Sequence, residues 1–480
     1  MRLNRTGLGL GLKAPRWLSG CRKVHADLSR RNCVKLKRFD SLLHPKLIER
    51  LKSNGVKTFF PIQAAVIPEI LNVVVRTQRL PPRDICVSSP TGSGKTLVYV
   101  LPIIQSLHTR LVPGIAALVV VPVQALAEQV GAVFTEYTKD WTNLQTLVLS
   151  SGRDLDSERR LLYSDDDGQC NGADIVVTTV GRLTEHLHWY QPPNRWQHTH
   201  NGLDLRALRY LVIDEADRMM SDTRVDWLTE VEAAVYDNND PGDTPSRRRP
   251  DGSSLAAILK YRQCALQKIL LSATLTHDLT MLEQWKLFKP KLFVAQTDQE
   301  HKNIESSNDQ RNDAESSFRD DDQHQSQQQL VLPSGLSQHY VQVKQAWKPL
   351  AVYALLREHS EWTKVLCFTD TRESTDKLCK LLALLANDQF TVAACTAHMY
   401  PSHRKKVIKR FQDGKVRILV CSDVVARGMH IDNINVVINY DLPIDGRCYV
   451  HRAGRSARAN ALGSVLTLLT QQQVGLEFCC

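Results

Sequence analysis

The chain has 480 residues, of which 42% are apolar and 23% charged. A chain of this length holds about three domains or two large ones, and its composition excludes collagen-like, coiled-coil and wholly disordered proteins. Sixty-one Lys and Arg against fifty-one Asp and Glu give a net charge of +10 at pH 7, which suggests a polyanionic partner without identifying one.

Residues 1–38 are predicted to form a basic, partly disordered N-terminal arm. The first forty residues hold eleven Lys or Arg and only two acids, Asp27 and Asp40. The same composition permits a mitochondrial transit peptide. The segment lacks a clear amphipathic pattern and begins with a flexible Gly-Leu run, so both interpretations stay open.

Short apolar, β-branched runs alternate with helical patterns along the rest of the chain. The predicted strands are 84–88, 117–122, 174–179, 209–214 and 268–274 in the first half and 364–370, 416–423 and 434–441 in the second. Strands that alternate with helices form parallel sheets, and ligands collect at the carboxyl ends of such strands. The fold class is therefore α/β, with two parallel-sheet domains.

Two polar segments set the predicted boundaries. Residues 39–296 form the first domain, with a surface insertion at 237–254, and residues 335–480 form the second. Between them, 297–334 is predicted to be an acidic disordered linker. The part 297–330 carries nine acidic and three basic side chains, a net charge of −6, which leaves +16 on the rest of the chain.

Neither a zinc site nor a membrane span is predicted. The twelve cysteines are scattered without a C-x-x-C pair, which argues against structural zinc and a disulfide framework and favours a reducing compartment. The apolar runs are far shorter than the roughly 18 residues of a membrane-spanning helix. We expect no membrane partner.

The motif SPTGSGKT, between an apolar run and a helical pattern, predicts a phosphate-binding loop. A glycine-rich turn between strand and helix directs backbone N–H groups at phosphates, where a lysine pairs with phosphate oxygens and a hydroxyl ligates Mg²⁺. A chance Gly/Ser loop is the alternative, and the placement argues against it. The residues predicted to bind ATP here are Ser89, Thr91, Gly92, Ser93, Gly94, Lys95 and Thr96, with Thr96 also a ligand of Mg²⁺.

The acidic sequence VIDEAD, 212–217, follows an apolar strand. Asp214 is suited to hold Mg²⁺, partly through water, and Glu215 to deprotonate the water that attacks the γ-phosphate. Alone, such a cluster is commonly a solvated turn or a helix N-cap. Together with the phosphate loop, it predicts a nucleotide hydrolase with ATP and Mg²⁺ as cofactors.

The sequence Asp-Glu-Ala-Asp, with SAT at 272–274 and HRAGRSAR at 451–458, resembles the DEAD-box RNA helicases. The resemblance runs from Phe39 to Leu469 with the motifs in family order. It implies two tandem RecA-like domains, joined by a flexible linker, that close over ATP and single-stranded RNA. The predicted partner is therefore RNA.

In that family a glutamine reads the adenine edge, and Gln63 matches it, with Phe39 where an aromatic packs beside it. A core-anchoring role for Phe39 is equally plausible. Arg455 and Arg458 match the arginine fingers that reach the γ-phosphate, although RxxR alone is usually a solvated helix face. The residues expected to couple hydrolysis to domain closure are Ser272, Thr274, Asp217 and His451.

RNA contacts follow from the same resemblance. Small residues with free N–H groups and arginines grip phosphates and 2′-hydroxyls without reading bases. Turn chemistry is the alternative for the Ser, Thr and Gly members. The predicted RNA-binding residues are Ser151, Gly152, Thr179, Gly181, Arg182, Arg404, Ser422 and Arg427.

Several positions depart from the family pattern. Val123, Gln124 and Ala125 stand where the family has Thr, Arg and Glu, which predicts a weaker RNA grip in the first domain. Val180 replaces a proline. His430 replaces the aspartate expected at the ATP ribose, and Asp432 is the predicted substitute.

Phrases between the motifs resemble the nucleolar DEAD-box polypeptide 51 subgroup, involved in large ribosomal subunit assembly. This resemblance implies pre-ribosomal RNA as substrate, ribosome-assembly proteins as partners and a nucleolar location. An ATP-gated RNA clamp or assembly scaffold with weak unwinding, and a mitochondrial RNA helicase, are the alternatives.

Overall fold

The computed structural model describes most of the two predicted domains. The described residues are 21–26, 32–76, 82–90, 92–110, 114–162, 172–188, 203–205, 207–219, 227–236, 266–273, 285–296, 335–387, 389–396, 399–423, 434–456 and 463–473. The predicted insertion 237–254, the predicted linker 297–334 and most of the predicted N-terminal arm lie outside them.

The first domain is built on an eight-stranded sheet with the order β1-β10-β4-β9-β8-β5-β7-β6, and all its strand pairs are parallel. Its strands are β1 (Arg22–His25), β4 (Ile85–Ser88), β5 (Ala117–Val121), β6 (Thr146–Val148), β7 (Ile175–Thr179), β8 (Tyr210–Asp214), β9 (Gln267–Ser272) and β10 (Lys291–Gln296). A separate antiparallel pair joins β2 (Val34–Lys35) to β3 (Thr58–Phe59).

Helices pack around this sheet. They are α1 (Pro45–Ser53), α2 (Pro61–Arg76), α3 (Lys95–Leu107), α4 (Gln124–Thr138), α5 (Leu155–Leu162), α6 (Val180–Leu187), α7 (Ala216–Met219) and α8 (Trp227–Tyr236). Strands β4, β5 and β8 are buried along their whole length, because helices cover the sheet.

The second domain has a six-stranded parallel sheet with the order β11-β16-β15-β12-β14-β13. Its strands are β11 (Leu336–Gln342), β12 (Val365–Thr369), β13 (Val392–Cys395), β14 (Ile418–Ser422), β15 (Val436–Asn439) and β16 (Gly463–Leu469). Its helices are α9 (Lys348–Glu358), α10 (Arg372–Ala386), α11 (Pro401–Gln412) and α12 (Gly446–Ala453).

The two parallel sheets confirm the predicted α/β class and the two parallel-sheet domains. Each strand predicted from the apolar runs is present. Six strands of the two sheets were not predicted, namely β1, β6, β10, β11, β13 and β16. Strand β1, whose sequence RKVH carries little apolar character, pairs with β10 at the edge of the first sheet, inside the predicted arm 1–38. None of the described helices is long and apolar enough to span a membrane.

The sheet order decides where the polar motifs meet. Strands β4, β9 and β8 are neighbours, and Ser88 of β4 pairs with Ser272 of β9 while Asp214 of β8 pairs with Leu271 of β9. Residues that are more than 50 positions apart in the chain therefore end at one edge of the sheet.

Candidate nucleotide and RNA site

The phosphate loop lies at the carboxyl end of β4 and leads into α3. Gly92 and Gly94 adopt positive φ angles of 83° and 73°, which glycine adopts without steric cost. The Nζ of Lys95 donates hydrogen bonds to the carbonyl oxygens of Ser89 at 2.7 Å and Pro90 at 3.0 Å. Lys95 thus lies across the loop, at the N-terminus of a 13-residue helix.

Two serine hydroxyl groups form hydrogen bonds within the same loop. Ser89 Oγ donates to Ser93 Oγ at 2.7 Å, and Ser93 Oγ donates to the carbonyl of Pro90 at 2.8 Å. The backbone N–H of Ser89 also donates to the carbonyl of Ser272, at 3.0 Å. The loop is therefore fixed to β9; Thr91 lies outside the described residues.

The amide of Gln63 holds the start of α2 against the loop. Its Oε1 accepts from the backbone N–H of Phe60 at 2.9 Å, and its Nε2 donates to the carbonyl of Gly94 at 3.0 Å. Phe39 is buried and packs edge-on against Phe59 at a centroid distance of 4.7 Å. This contact is the core-anchoring arrangement, and the adenine contacts of Gln63 and Phe39 stay predictions.

The carboxylates of the acidic motif lie beside Lys95. Asp214 is buried; its Oδ2 accepts from the hydroxyl of Tyr99 at 3.1 Å and its Oδ1 from the N–H of Glu215 at 2.9 Å. Burial, reinforced by the charge of Glu215, raises the pKa of Asp214 to about 6. Burial lowers the pKa of Lys95, and the charges of Asp214, Asp217 and Glu215 oppose that shift.

Glu215 has an unusual backbone and an unsatisfied oxygen. Its φ of 52° is rare for a residue with a side chain. Its Oε2 is buried without a hydrogen-bond partner among the described residues and lies 3.7 Å from Nη1 of Arg218. A buried acceptor of this kind fits a bound water, and the oxygen donors of Asp214 and Thr96 fit Mg²⁺, which prefers oxygen ligands. The residues present therefore suit a nucleotide with its metal.

A contact between the two domains lies next to the acidic motif. His451 Nε2 of α12 lies 3.1 Å from Oδ2 of Asp217 on α7, and both side chains are buried. Arg455 follows α12 and is 7% exposed. Its positive charge lowers the pKa of Lys95 further, in addition to the larger effect of burial. The charge of this predicted arginine finger, carried by the second domain, thus acts on the lysine of the phosphate loop. Thr274 and Arg458 lie outside the described residues.

The sequence analysis did not identify two buried residues, Tyr99 and Arg452, that donate hydrogen bonds to carboxylates at the ends of strands. Tyr99 occurs in an apolar helical run, where it reads as a core residue, although it falls one helical turn after Lys95. Arg452 is 1% exposed and donates to Oδ1 and Oδ2 of Asp423 at 2.7 and 2.6 Å. Its place between two motif residues was the only hint, since Asp423 is remote in the chain.

The residues predicted to contact RNA in the first domain lie in two neighbouring segments. Ser151 and Gly152 follow β6 in an exposed turn, and Thr179 ends β7 before Gly181 of α6. A Cβ on Gly181 would meet no atom within 4 Å, so space is open there.

Arg182 differs from its neighbours because it is buried. Its Nε donates to Oε2 of Glu158 at 2.9 Å, its Nη1 to Oε2 of Glu185 at 2.6 Å and its Nη2 to the carbonyl of Arg153 at 2.8 Å. The structure gives Arg182 a role in holding this surface together. Its RNA contact stays a prediction.

In the second domain, Arg404 lies in α11 and Ser422 ends β14. Lys405, next to Arg404, forms an ion pair of 2.6 Å with Glu128 of α4. This pair joins the helix of the altered motif to the second domain. Arg427, His430 and Asp432 lie outside the described residues.

The departures at the start of α4 have a structural consequence. Val123 is the N-cap residue and provides no side-chain hydrogen bond to the helix. The Nε2 and Oε1 atoms of Gln124 are both buried without a hydrogen-bond partner among the described residues. Buried polar atoms are normally paired, so the amide of Gln124 has room for a further polar contact at both of its polar atoms.

Comparison with known proteins agrees with this geometry. The DEAD/DEAH box helicase family model matches residues 60–282, and the helicase conserved C-terminal domain model matches residues 347–460. The mouse ATP-dependent RNA helicase DDX51 is 37% identical over 464 residues, which cover 93% of this chain and 68% of that protein. The chain is a DEAD-box helicase family member.

Other relatives of this DEAD-box chain have similar names. Human ATP-dependent RNA helicase DDX51 is 38% identical over 96% of this chain and 65% of its own length. The ATP-dependent RNA helicase dbp6 of Schizosaccharomyces pombe is 34% identical over 91% of this chain and 69% of its length. The chain thus spans about two thirds of the length of these relatives.

Solved structures show the same fold. Mss116p bound to ssRNA and AMP-PNP superposes with a TM-score of 0.65 at 21% identity, covering 94% of this chain and 78% of that one. Dbp5 of S. cerevisiae, bound to RNA and ADP BeF3, gives 0.60 at 19% identity, covering 91% of this chain and 90% of that one. The two sheets of this DEAD-box chain are thus RecA-like, as predicted.

Proposed function

We propose that this chain is an ATP-dependent RNA helicase that uses ATP hydrolysis to clamp RNA and to separate short duplexes locally. The proposal depends on one observation: His451 of the second domain lies 3.1 Å from Asp217 of the acidic motif, so that the charge of Arg455 acts on Lys95 together with the charges of the acidic motif. A site divided between two domains links nucleotide binding to their relative position.

Each residue has a role in this proposal. The phosphate loop and the N-terminus of α3 bind the phosphates through backbone N–H groups, and Lys95 pairs with their oxygens. Thr96 and Asp214 would hold Mg²⁺, which neutralises phosphate charge when bound. Glu215 orients the attacking water and takes its proton, and Arg455 with Arg458 stabilises the charge that develops on the γ-phosphate.

RNA is the proposed second ligand, bound through its backbone. In the first domain the contacts are assigned to Ser151, Gly152, Thr179, Gly181 and Arg182. In the second they are assigned to Arg404, Ser422 and Arg427. Contacts of this kind tolerate many sequences.

An RNA-stimulated ATPase assay tests the activity. We expect RNA to raise the ATPase rate of the unaltered chain, and Lys95→Ala and Glu215→Gln to abolish this rate by removing the phosphate contact and the base. An unaltered chain no faster than either variant would refute the proposal. Binding of a fluorescent ATP analogue, retained by Glu215→Gln, shows that the variant is folded.

A second candidate is an ATP-gated RNA clamp or assembly scaffold with weak unwinding. The unpaired polar atoms of Gln124, in place of an arginine, favour it, because a neutral amide attracts a phosphate less than a guanidinium does. Separation of a short tailed duplex at stoichiometric protein with ATP would argue against the clamp. RNA-stimulated ATPase without strand separation would support it.

We further propose that the RNA is pre-ribosomal RNA and that the chain acts in the nucleus, in the nucleolus, with ribosome-assembly proteins in large ribosomal subunit biogenesis. The support is the likeness in sequence to DDX51 and dbp6. Crosslinking and sequencing of bound RNA in cells tests this, and reads concentrated on pre-ribosomal RNA are expected. A mitochondrial helicase is the alternative, which residues 1–40 fused to a reporter would reveal by mitochondrial accumulation.

A further inference from the structure

Glu158 is a buried carboxylate between the two segments of the first domain assigned to RNA. It lies on α5 and is 0% exposed. Its oxygens accept from the backbone N–H of Ser150 at 2.6 Å, from Nε of Arg182 at 2.9 Å and from Nε2 of His186 at 2.8 Å. A carboxylate only accepts hydrogen bonds, so Nε2 of His186 carries the hydrogen.

These contacts form a closed circuit around the turn 150–153. Glu158 holds the N–H of Ser150 at the start of the turn, and Arg182 holds the carbonyl of Arg153 at its end, at 2.8 Å. The salt bridge between Glu158 and Arg182 joins the two holds. Ser151 and Gly152 lie inside the circuit.

Helix α6 is fixed by the same carboxylate. Arg182 and His186 are four residues apart, so they lie on one face of the helix, and both are buried. Thr179 and Gly181 lie just before Arg182 in the chain, at the start of this helix. The turn and the start of α6 therefore share Glu158 as their common acceptor.

We propose that Glu158 is a positioning residue for RNA binding: it sets the turn 150–153 and the start of α6 in one relative position, so that both grip the backbone of one strand. This inference rests on the proposed RNA-binding function. Glu158 itself is buried, so it acts through Ser150, Arg182 and His186. Preorganised contact groups raise affinity because less conformational entropy is lost on binding.

Glu185 offers a matched control on the same guanidinium. It accepts from Nη1 of Arg182 at 2.6 Å, yet its side chain is 52% exposed. Exposed ion pairs contribute little to stability. When a buried acceptor is replaced, by contrast, the donors that it served lose their hydrogen bonds, which is costly. In Glu158→Gln the amide NH₂ faces at least one N–H donor, and Glu185→Gln makes the same chemical change in water.

The experiment is an ATPase titration with a short poly(U) RNA as the probe, repeated with ATP as the varied component. For Glu158→Gln we expect the RNA concentration at half-maximal stimulation to rise about tenfold, the effect of about 1.4 kcal/mol. The maximal rate at saturating RNA and the KM for ATP are expected to change by less than about twofold, since the ATP site lies elsewhere on the sheet. Glu185→Gln should shift the RNA titration by less than about twofold.

A second pair of variants covers the case in which Glu158→Gln fails to fold. His186→Gln keeps an amide N–H near the position of Nε2, whereas His186→Leu removes the donor at similar size. We expect His186→Leu to weaken RNA binding and His186→Gln to rescue it.

Each outcome decides the inference. Equal RNA titrations for Glu158→Gln and Glu185→Gln, or for the two His186 variants, would overturn it. A loss of maximal rate and of ATP affinity in step with RNA affinity would show general damage instead of positioning, and would also overturn it. An unaltered chain that RNA does not stimulate at all would contradict the proposed function itself, and with it this inference.

Discussion

Arg452 is the buried cation that joins three loops of the second domain, and its replacement by glutamine gives a sharp prediction. Besides its two bonds to Asp423, it donates to the carbonyl of Asp441 at 2.7 Å and to Oδ1 of Asp370 at 3.3 Å. Its guanidinium also lies 5.1 Å from the ring centroid of Phe368. The contacted loops follow β12, β14 and β15, which are neighbours in the sheet.

Arg452→Gln leaves the carboxylate of Asp423, which is 19% exposed, without its bidentate partner. Removal of one member of a buried ion pair costs about 3–5 kcal/mol. The contact with Asp370 adds little because that side chain is 45% exposed and screened by solvent. We therefore expect the free energy of unfolding of the second domain to fall by about 3–5 kcal/mol, a large part of the roughly 5–15 kcal/mol of a typical domain.

Urea unfolding, monitored through the hydrogen exchange of backbone amides in β12, β14 and β15, measures this loss. Arg417→Gln is the matched control: Arg417 donates to the carbonyls of Leu356, His359 and Trp362 at 2.6–2.7 Å, so its loss leaves only neutral acceptors. We expect about 1–2 kcal/mol for the control. A loss for Arg452→Gln of under about 1 kcal/mol, or one no larger than that of Arg417→Gln, would refute the reasoning.

Three further predictions concern the first domain and its contact with the second. Tyr99→Phe removes a donor to buried Asp214, so urea unfolding should show a loss of about 1–3 kcal/mol; an unchanged midpoint would contradict this. Burial lowers the pKa of His186, so this side chain binds its proton more readily in the unfolded state, and its contribution to the free energy of unfolding should fall as the pH drops below about 6.5. Asp214, whose raised pKa acts in the opposite direction, is present in both chains, so the difference in free energy of unfolding between the unaltered chain and His186→Gln, measured by urea titration across this pH range, isolates the histidine. A difference that does not change with pH would exclude the assignment. The ion pair of Glu128 with Lys405 is largely exposed, so reversing either charge should shift the free energy of domain closure by at most about 1 kcal/mol. Fluorescence transfer between the domains measures closure. Reversing both charges should restore closure at low salt, and failure to do so would argue against a direct pair.

Eight of the fourteen strands in the two sheets, and the nucleotide motif, could be predicted from local patterns. Apolar runs such as 117–122 and 209–214 became buried parallel strands, because burial on both faces requires a nearly continuous apolar sequence. The turn of the phosphate loop was predictable as well, since Gly92 and Gly94 supply the positive φ angles that it needs. Strand β1 was among the six that were not predicted, because pairing with β10 and not apolar character holds it in the sheet.

The contacts of single polar side chains required the tertiary structure. The sequence placed Arg182 in an RNA-binding motif, but only the packing of α5 on α6 shows that it is buried against Glu158. Arg452 and Tyr99 likewise gained their partners from strands and helices that are remote in the chain.

By itself the sequence determined the α/β class, the two domains and the chemical character of the nucleotide site, because these depend on residue type and short spacing. The tertiary structure decided which carboxylate meets which cation and which motif residue faces the interior. Those pairings depend on the order of strands in each sheet and on the contact between the domains, and no local spacing encodes either of them.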